Sequence, residues 1–337
     1  MSTTVSPNLT LPLIDLTRYL HPASPTDRES VIAEIRAACQ QFGFFQLKGH
    51  GIPRESQSDL LKALNTFFSL PREEKLKLSF LDNLCRRGYE ASGMSLREGD
   101  PLPDSKESFY IGREEPEVIP PGFHGPNQWP SLQEPLFRSP VWTYYMQASE
   151  LGKTIFSILF EGLGHPASTV EKISTRPLVM MKMIRYPPLS ATLPGQLGVG
   201  AHTDFGGVTV LLQQTDREGL EVWHEETQAW VPVPAVDDVL VINCGDMIAK
   251  WSGGVYRSAR HRVLNKSAGD KERLSCALFW HGDADATNPL AKDGEGHKET
   301  VGKLILRRFG SQFSLDRKVL EGTRTETGNA ALAVEAM

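Results

Sequence analysis

Apolar positions change rhythm near Pro177: before it they recur at helical spacing, and after it they fall in short runs broken by turn residues. Val31, Ile32, Ile35, Ala38 and Cys39 predict a helix from about Asp27, with Thr26 and Glu29 spaced as a capping box. A second helix is expected after Pro53, with Leu60, Leu61, Leu64, Phe67 and Phe68 on its stripe and a stop near Leu70-Pro71. Both read as core helices. The run from Val141 to Leu163 predicts one long helix that packs through Tyr145, Leu151, Ile155, Ile158 and Leu159 and ends at Gly162 or Gly164. Between the second and third helices, Gly99 to Pro130 is rich in Pro, Gly and charge. It predicts a long connection suited to act as a lid.

Beyond Pro177 the short runs Leu220-Glu221-Val222-Trp223, Trp230-Val231-Pro232-Val233 and Val239-Leu240-Val241-Ile242-Asn243 suit the strands of a sandwich or barrel. The run Val208-Thr209-Val210-Leu211-Leu212 reads as a buried strand. Gly206-Gly207, just before it, suits a sharp bend or the close approach of a cofactor. Tyr186 closes another strand-like stretch, stopped by Pro187 and Pro188, which puts its phenol at a sheet rim. Asn243-Cys244-Gly245-Asp246 reads as a turn, with the Asp246 side chain expected on the backbone or, less favoured, on a group supporting the site. Small and turn-forming residues from Gly322 to Met337 predict a frayed end.

Composition narrows the class of protein. A chain of 337 residues is compatible with one compact unit, and a formal net charge of -5 without a basic stripe argues against nucleic acid as a partner. Neither a leader-like start nor a membrane-length apolar run is evident, so a cytoplasmic protein is expected. Cys39, Cys85, Cys244 and Cys276 lack Cys-x-x-Cys spacing, which fits reduced thiols. The glycosylation-like strings at Asn8 and Asn265 are then chance occurrences.

Candidate chemistry concentrates in the second half. His202 and Asp204 stand one residue apart, so an extended backbone points both the same way, and His261 follows much later in another short alternating stretch. Two imidazoles and a carboxylate form the protein half of a facial metal site that leaves one side of a ferrous ion open. By itself a His-x-Asp pair is more often a surface hydrogen bond. Downstream, Arg273 and Ser275 repeat the same spacing, so a guanidinium and a hydroxyl share one strand face and can grip a carboxylate. An inward cation with no acidic neighbour in its run calls for a bound anion. Tyr186 can donate to that anion, although a lone Tyr is more often packing. Phe205 follows Asp204 directly and Phe279 lies four residues beyond Ser275, so both rings are placed to border a substrate pocket or to sit in the core. His50, His165, His224 and His281 lack such company and read as structural or surface residues.

Taken together, these motifs resemble the iron(II)- and 2-oxoglutarate-dependent dioxygenases of the isopenicillin-N-synthase-like type. The resemblance runs from about Leu11 to about Phe313. It is carried by Leu11-Pro12-Leu13-Ile14-Asp15-Leu16, by Gly43 to Ile52, by Ile184-Arg185-Tyr186-Pro187, and by the order and spacing of His202-Thr203-Asp204, His261 and Arg273-Leu274-Ser275. It implies a mainly β fold with helices, a double-stranded β-helix (jelly roll) core wrapped by N-terminal helices. Three segments of one compact unit are expected: an N-terminal α/β part over 1–130, the helix and jelly-roll core over 131–300, and a C-terminal helix and tail over 301–337.

The same resemblance implies that His202, Asp204 and His261 ligate Fe(II), while Arg273, Ser275 and Tyr186 hold the distal carboxylate of 2-oxoglutarate. Dioxygen and a small-molecule substrate complete the reaction, which releases succinate and carbon dioxide as a C–H bond is oxidised by hydroxylation, desaturation, cyclisation or rearrangement. Ile184 stands where many plant members carry Asn, which removes a polar contact near the cosubstrate. The regions Cys85 to Glu90 and Asp104 to Arg113 most resemble fungal members, including thymine hydroxylases, and suit secondary metabolism. Arg86, Arg87 and Lys106 there are candidates to meet a substrate carboxylate or carbonyl, against the plainer reading of solvated loop charges. A monomer or weak dimer without membrane attachment is expected. The alternatives are an oxidase like isopenicillin N synthase, which needs no keto acid, a non-catalytic jelly-roll binding protein, or a zinc hydrolase built on the same three ligands.

Overall fold

The computed structural model describes residues 9–97, 99–119, 123–266, 271–291 and 299–307, so Asn8 and the stretch expected to fray lie outside the described residues. Among the described residues twelve strands form two sheets. In chain order they are β1 (Leu13–Asp15), β2 (Phe44–Lys48), β3 (Gly88–Glu90), β4 (Glu107–Gly112), β5 (Pro177–Tyr186), β6 (Val199–His202), β7 (Val208–Gln213), β8 (Leu220–His224), β9 (Ala229–Pro232), β10 (Leu240–Cys244), β11 (His261–Val263) and β12 (Arg273–Asp283). The large sheet runs β1-β2-β10-β7-β12-β5-β4-β3 and the small one β6-β11-β8-β9.

Alternation along the strands explains the layers. On β12, Leu274, Cys276, Leu278 and Trp280 join the main apolar core, while Arg273, Ser275, Phe279 and His281 line a cavity on the opposite face. On β5 the same rule sends Val179, Met181 and Met183 into the core and Met180, Lys182, Ile184 and Tyr186 to the cavity. Helices therefore cover one face of the large sheet. A smaller apolar cluster that includes Phe44, Ile184, Tyr186, Val222, Val241 and Val263 joins its other face to the small sheet.

The helix Arg138–Gly162 is the core's central element. It buries Tyr144, Tyr145, Ala148, Ile155, Phe156, Ile158, Leu159 and Phe160, more of its circumference than one amphipathic stripe, because it touches the helices Asp27–Gln41 and Arg54–Phe68 as well as β7 and β12. Gly152 lets it approach the sheet, since a Cβ there would sit 3.1 Å from Trp280 Cβ.

Three expectations need correction. The helix from Asp27 forms, but Thr26 makes no capping bond; the Asp27 carboxylate instead accepts from the backbone N–H groups of Ala23 (2.7 Å) and Ser24 (3.0 Å) and the Ser24 hydroxyl (2.6 Å). Within the supposed lid, β4 pairs with β3 and β5 along its length. Its polar start misleads because the charges are buried as ion pairs: Lys106 Nζ lies 2.8 Å from Glu90 and Lys75 Nζ 2.8 Å from Glu107. The turn after β10 is the start of a helix, Asp246–Trp251, and the Asp246 carboxylate accepts from the Thr203 hydroxyl at 3.1 Å, the less favoured of its two expected partners.

Candidate active site

Strand pairing brings the two distant histidines together. His261 on β11 is the direct antiparallel partner of His202 at the end of β6, and their ring centroids are 4.2 Å apart. In each ring Nδ1 faces a backbone carbonyl two residues earlier, Gly200 O at 2.8 Å for His202 and Ala259 O at 3.2 Å for His261. A carbonyl only accepts, so Nδ1 carries the proton and Nε2 keeps its lone pair for a ligand. Both Nε2 atoms point at one atom: Asp204 Oδ1 lies 3.8 Å from each. Burial, aided by the nearby Arg97 charge, holds the His202 imidazole well below its usual pKa, which keeps it in the neutral form that binds metal.

The other carboxylate oxygen is tied back. Asp204 Oδ2 accepts from the Thr209 hydroxyl on β7 at 2.7 Å and from Asn243 Nδ2 on β10 at 2.8 Å, which fixes the plane in which Oδ1 faces the imidazoles. One ligand atom from each of His202, Asp204 and His261 lies within 4.8 Å of the others. Two neutral nitrogens, one carboxylate oxygen and an open cavity side fit a ferrous ion with free positions.

A buried cation lines the same cavity from the start of β12. Arg273, almost fully buried, donates from Nη2 to Gln213 Oε1 at 2.9 Å and from Nε to Arg217 O at 3.2 Å, and its guanidinium stacks 4.7 Å from the Tyr186 ring. None of these partners carries negative charge. Arg273 Nη1 and the Ser275 hydroxyl oxygen are buried without a hydrogen-bond partner, side by side on one strand face. Two unspent donor groups beside an uncompensated guanidinium match the needs of one carboxylate. Tyr186 lines the same cavity, with its ring under Arg273.

Phe205 and Phe279 both line the cavity, and His281 joins them as a lining residue that the sequence reading set aside. Its ring is inclined by 21° to Phe205 and 13° to Phe279, and its Nδ1 accepts from Gly207 N at 3.2 Å. Burial lowers its pKa to about 4, so the ring is neutral. Gly206 serves this histidine rather than a cofactor, because a Cβ there would fall 2.0 Å from the His281 ring. Gly207 gives space to Trp280 O and to Phe156. Arg86 borders the cavity, whereas Arg87 is buried and spends Nη2 on Phe123 O at 2.7 Å. His50 and His224 are buried away from the cavity, and His165 lies outside it.

Sequence reasoning missed Thr209, Gln213, Asn243 and His281. Their shared signal is a polar residue on the cavity-facing parity of an otherwise apolar strand.

Comparison with known proteins agrees with this geometry. Residues 11–132 match the family model described as non-haem dioxygenase in morphine synthesis N-terminal, and residues 178–282 match that of the 2OG-Fe(II) oxygenase superfamily. A 2-oxoglutarate-dependent dioxygenase of Trichoderma harzianum is 62% identical over 313 residues, which cover 93% of this chain and 97% of the relative. Another from Talaromyces stipitatus is 40% identical, over 92% of this chain and 98% of its own. Among solved structures, a full-length Neurospora crassa protein in complex with alpha-KG and thymine is 26% identical with a TM-score of 0.78, covering 92% of this chain and 99% of that one. Such neighbours have a jelly-roll core, and the two sheets described above are that core with its helical cover. By family models, relatives over nearly the whole chain and shared fold, this chain belongs to the iron(II)- and 2-oxoglutarate-dependent oxygenases.

Proposed function

We propose that His202, Asp204 and His261 hold the iron, that Arg273 and Ser275 hold the far carboxylate of 2-oxoglutarate over the Tyr186 ring, and that the substrate sits at the Phe205–Phe279 end. The observation that carries the reading is a three-donor cluster and an uncompensated buried guanidinium lining one cavity between the two sheets. Iron with 2-oxoglutarate and dioxygen supplies an oxidant able to take a hydrogen atom from a C–H bond, and the cosubstrate leaves as succinate and carbon dioxide.

The chain's own residues do the remaining work. Nδ1–H bonds to Gly200 and Ala259 aim the two imidazoles, while Thr209 and Asn243 aim the carboxylate. Arg273 neutralises the distal end of the keto acid and Ser275 donates to it. Gln213 keeps the guanidinium in plane. Apolar walls at Val199, Leu211 and Phe279 keep water from the reacting position.

Oxidation of a small organic molecule in secondary metabolism is the reading supported by the fungal relatives, which are 2-oxoglutarate-dependent dioxygenases. A cytoplasmic setting fits the four cysteines, all buried and free of disulfides. Among the described residues no helix is long and apolar enough to cross a membrane. The Asn265 side chain is engaged with Ser105 and with Gln196 O, which supports its reading as a chance sequon. Titration of the Fe(II)-loaded protein with 2-oxoglutarate tests the cosubstrate assignment: Arg273→Ala should weaken binding and leave Fe(II) affinity in place. Equal 2-oxoglutarate affinity in wild type and Arg273→Ala would refute it.

A further inference from the structure

Two lysines that line the cavity, apart from the metal cluster and the Arg273 cradle, meet one carboxylate. Glu90 Oε1 accepts from Lys106 Nζ at 2.8 Å and from the Ser95 hydroxyl at 2.5 Å, and Oε2 accepts from the Tyr110 hydroxyl at 2.6 Å. Lys182 Nζ is left 3.2 Å from the same Oε2, over the Tyr110 ring at 4.8 Å. Asp104, the next carboxylate, is engaged elsewhere: Oδ1 accepts from Gly200 N at 2.9 Å and Oδ2 faces Arg97 at 3.9 Å. Lys182 and Lys106 thus share one carboxylate, and Lys182 holds the longer contact of the two. Its ammonium has three N–H donors, and it lines the cavity.

Strand register says what lies beside it. Lys182 pairs with Ala277, so along the cavity wall it stands between the Ser275 pair and the Phe279–Met180 pair. The Lys182 side chain leaves this point of the wall toward β4 and β3, where its ammonium lies over Tyr110 and against Glu90.

The geometry points to Lys182 as a specificity residue that binds an anionic oxygen (carboxylate, phenolate or enolate) on a planar, ring-bearing acidic substrate whose ring lies against Phe279. This rests on the oxygenase reading of the same cavity and adds the substrate class to it. The electrostatic logic is independent of the metal. Burial pulls the Lys182 pKa down to about 7; Glu90 opposes the shift, Lys106 and Arg97 add to it, and Asp104 opposes it. An arriving anion would restore the full charge, so binding and proton uptake are coupled.

The test uses the full chain loaded with Fe(II) and 2-oxoglutarate without oxygen, buffered just below the Lys182 pKa of about 7, so that Arg273 is already occupied. Benzoate and 4-nitrophenol are titrated against their neutral counterparts benzamide and nitrobenzene by calorimetry, with the colour of bound nitrophenolate as a second readout. Expected is about a tenfold or greater preference for at least one charged member over its neutral counterpart. Preference for benzoate alone assigns a carboxylate substrate, and a yellow bound nitrophenolate assigns a phenolate or enolate. Lys182→Met should abolish the preference and Lys182→Arg should retain it, both without loss of 2-oxoglutarate affinity. Equal affinity for charged and neutral probes, failure of all four to bind, or a parallel loss of 2-oxoglutarate binding in Lys182→Met would each overturn the assignment. Failure of 2-oxoglutarate to bind wild type, read separately, would instead strike the oxygenase site.

Discussion

Asn243 Nδ2 donates to Asp204 Oδ2 at 2.8 Å, so a residue on the central strand β10 orients a carboxylate that belongs to the loop after β6. The loop alone could not fix that carboxylate. Asn243→Leu should therefore lower Fe(II) affinity by about 10- to 100-fold while the fold survives, with Thr209→Val giving a smaller loss of the same kind. Competition against a coloured chelator measures it; wild-type affinity in both variants would show that Asp204 needs neither partner.

Arg273 has one neutral side-chain hydrogen-bond partner, Gln213, and one aromatic face, Tyr186. Loss of the guanidinium in Arg273→Ala should cost about 2–5 kcal/mol of 2-oxoglutarate binding, because a buried carboxylate loses its charge-assisted bonds. Gln213→Leu should cost less, since the charge stays and only its orientation is released. Calorimetric titration ranks the two, and the reverse order would mean that Gln213 rather than Arg273 meets the cosubstrate.

Stability should respond to pH through His124, which lies outside the candidate site. Burial, with Arg176, Arg87 and Arg113 nearby, lowers its pKa to about 4 from an ordinary 6.5. Between those values the unfolded chain holds a proton that the folded chain does not, so stability falls as pH drops through this window. His124→Gln should flatten that part of the melting-temperature profile. An unchanged slope between wild type and variant would place the acid sensitivity elsewhere.

Gly207→Ala probes the packing behind the metal cluster. Its Cβ would lie 2.6 Å from Trp280 O and 2.7 Å from Phe156, and backbone cannot yield as a flexible side chain does. A loss of about 1–3 kcal/mol in unfolding free energy is expected. Unaltered denaturant unfolding would show that this corner of the sheet is looser than its contacts imply.

The second half of the chain was the more legible part, for a physical reason. Strand β12 alternates strictly, so Arg273, Ser275 and Phe279 could be given a common face from parity, and the His202–Asp204 spacing likewise gave two metal candidates a common direction. Parity within a strand does not reveal which strands are neighbours. That His261 sits opposite His202, and that Asn243 reaches Asp204, are consequences of sheet order. The N-terminal half hid β4 because its leading charges look solvated; Lys106 and Glu107 are buried only by virtue of Glu90, Lys75 and Arg185 from other elements. Thr26 failed as a cap because its backbone is already helical (φ -87°, ψ -10°) rather than extended, the conformation that lets a capping side chain reach the first-turn N–H groups.

Anaerobic addition of Fe(II) and then 2-oxoglutarate, followed by visible absorption, tests the central claim most directly. A weak charge-transfer band should appear only when both are present, persist in Lys182→Met, and vanish in His202→Ala and Asp204→Ala. A band of wild-type intensity in either of those two variants would contradict the three-residue metal centre.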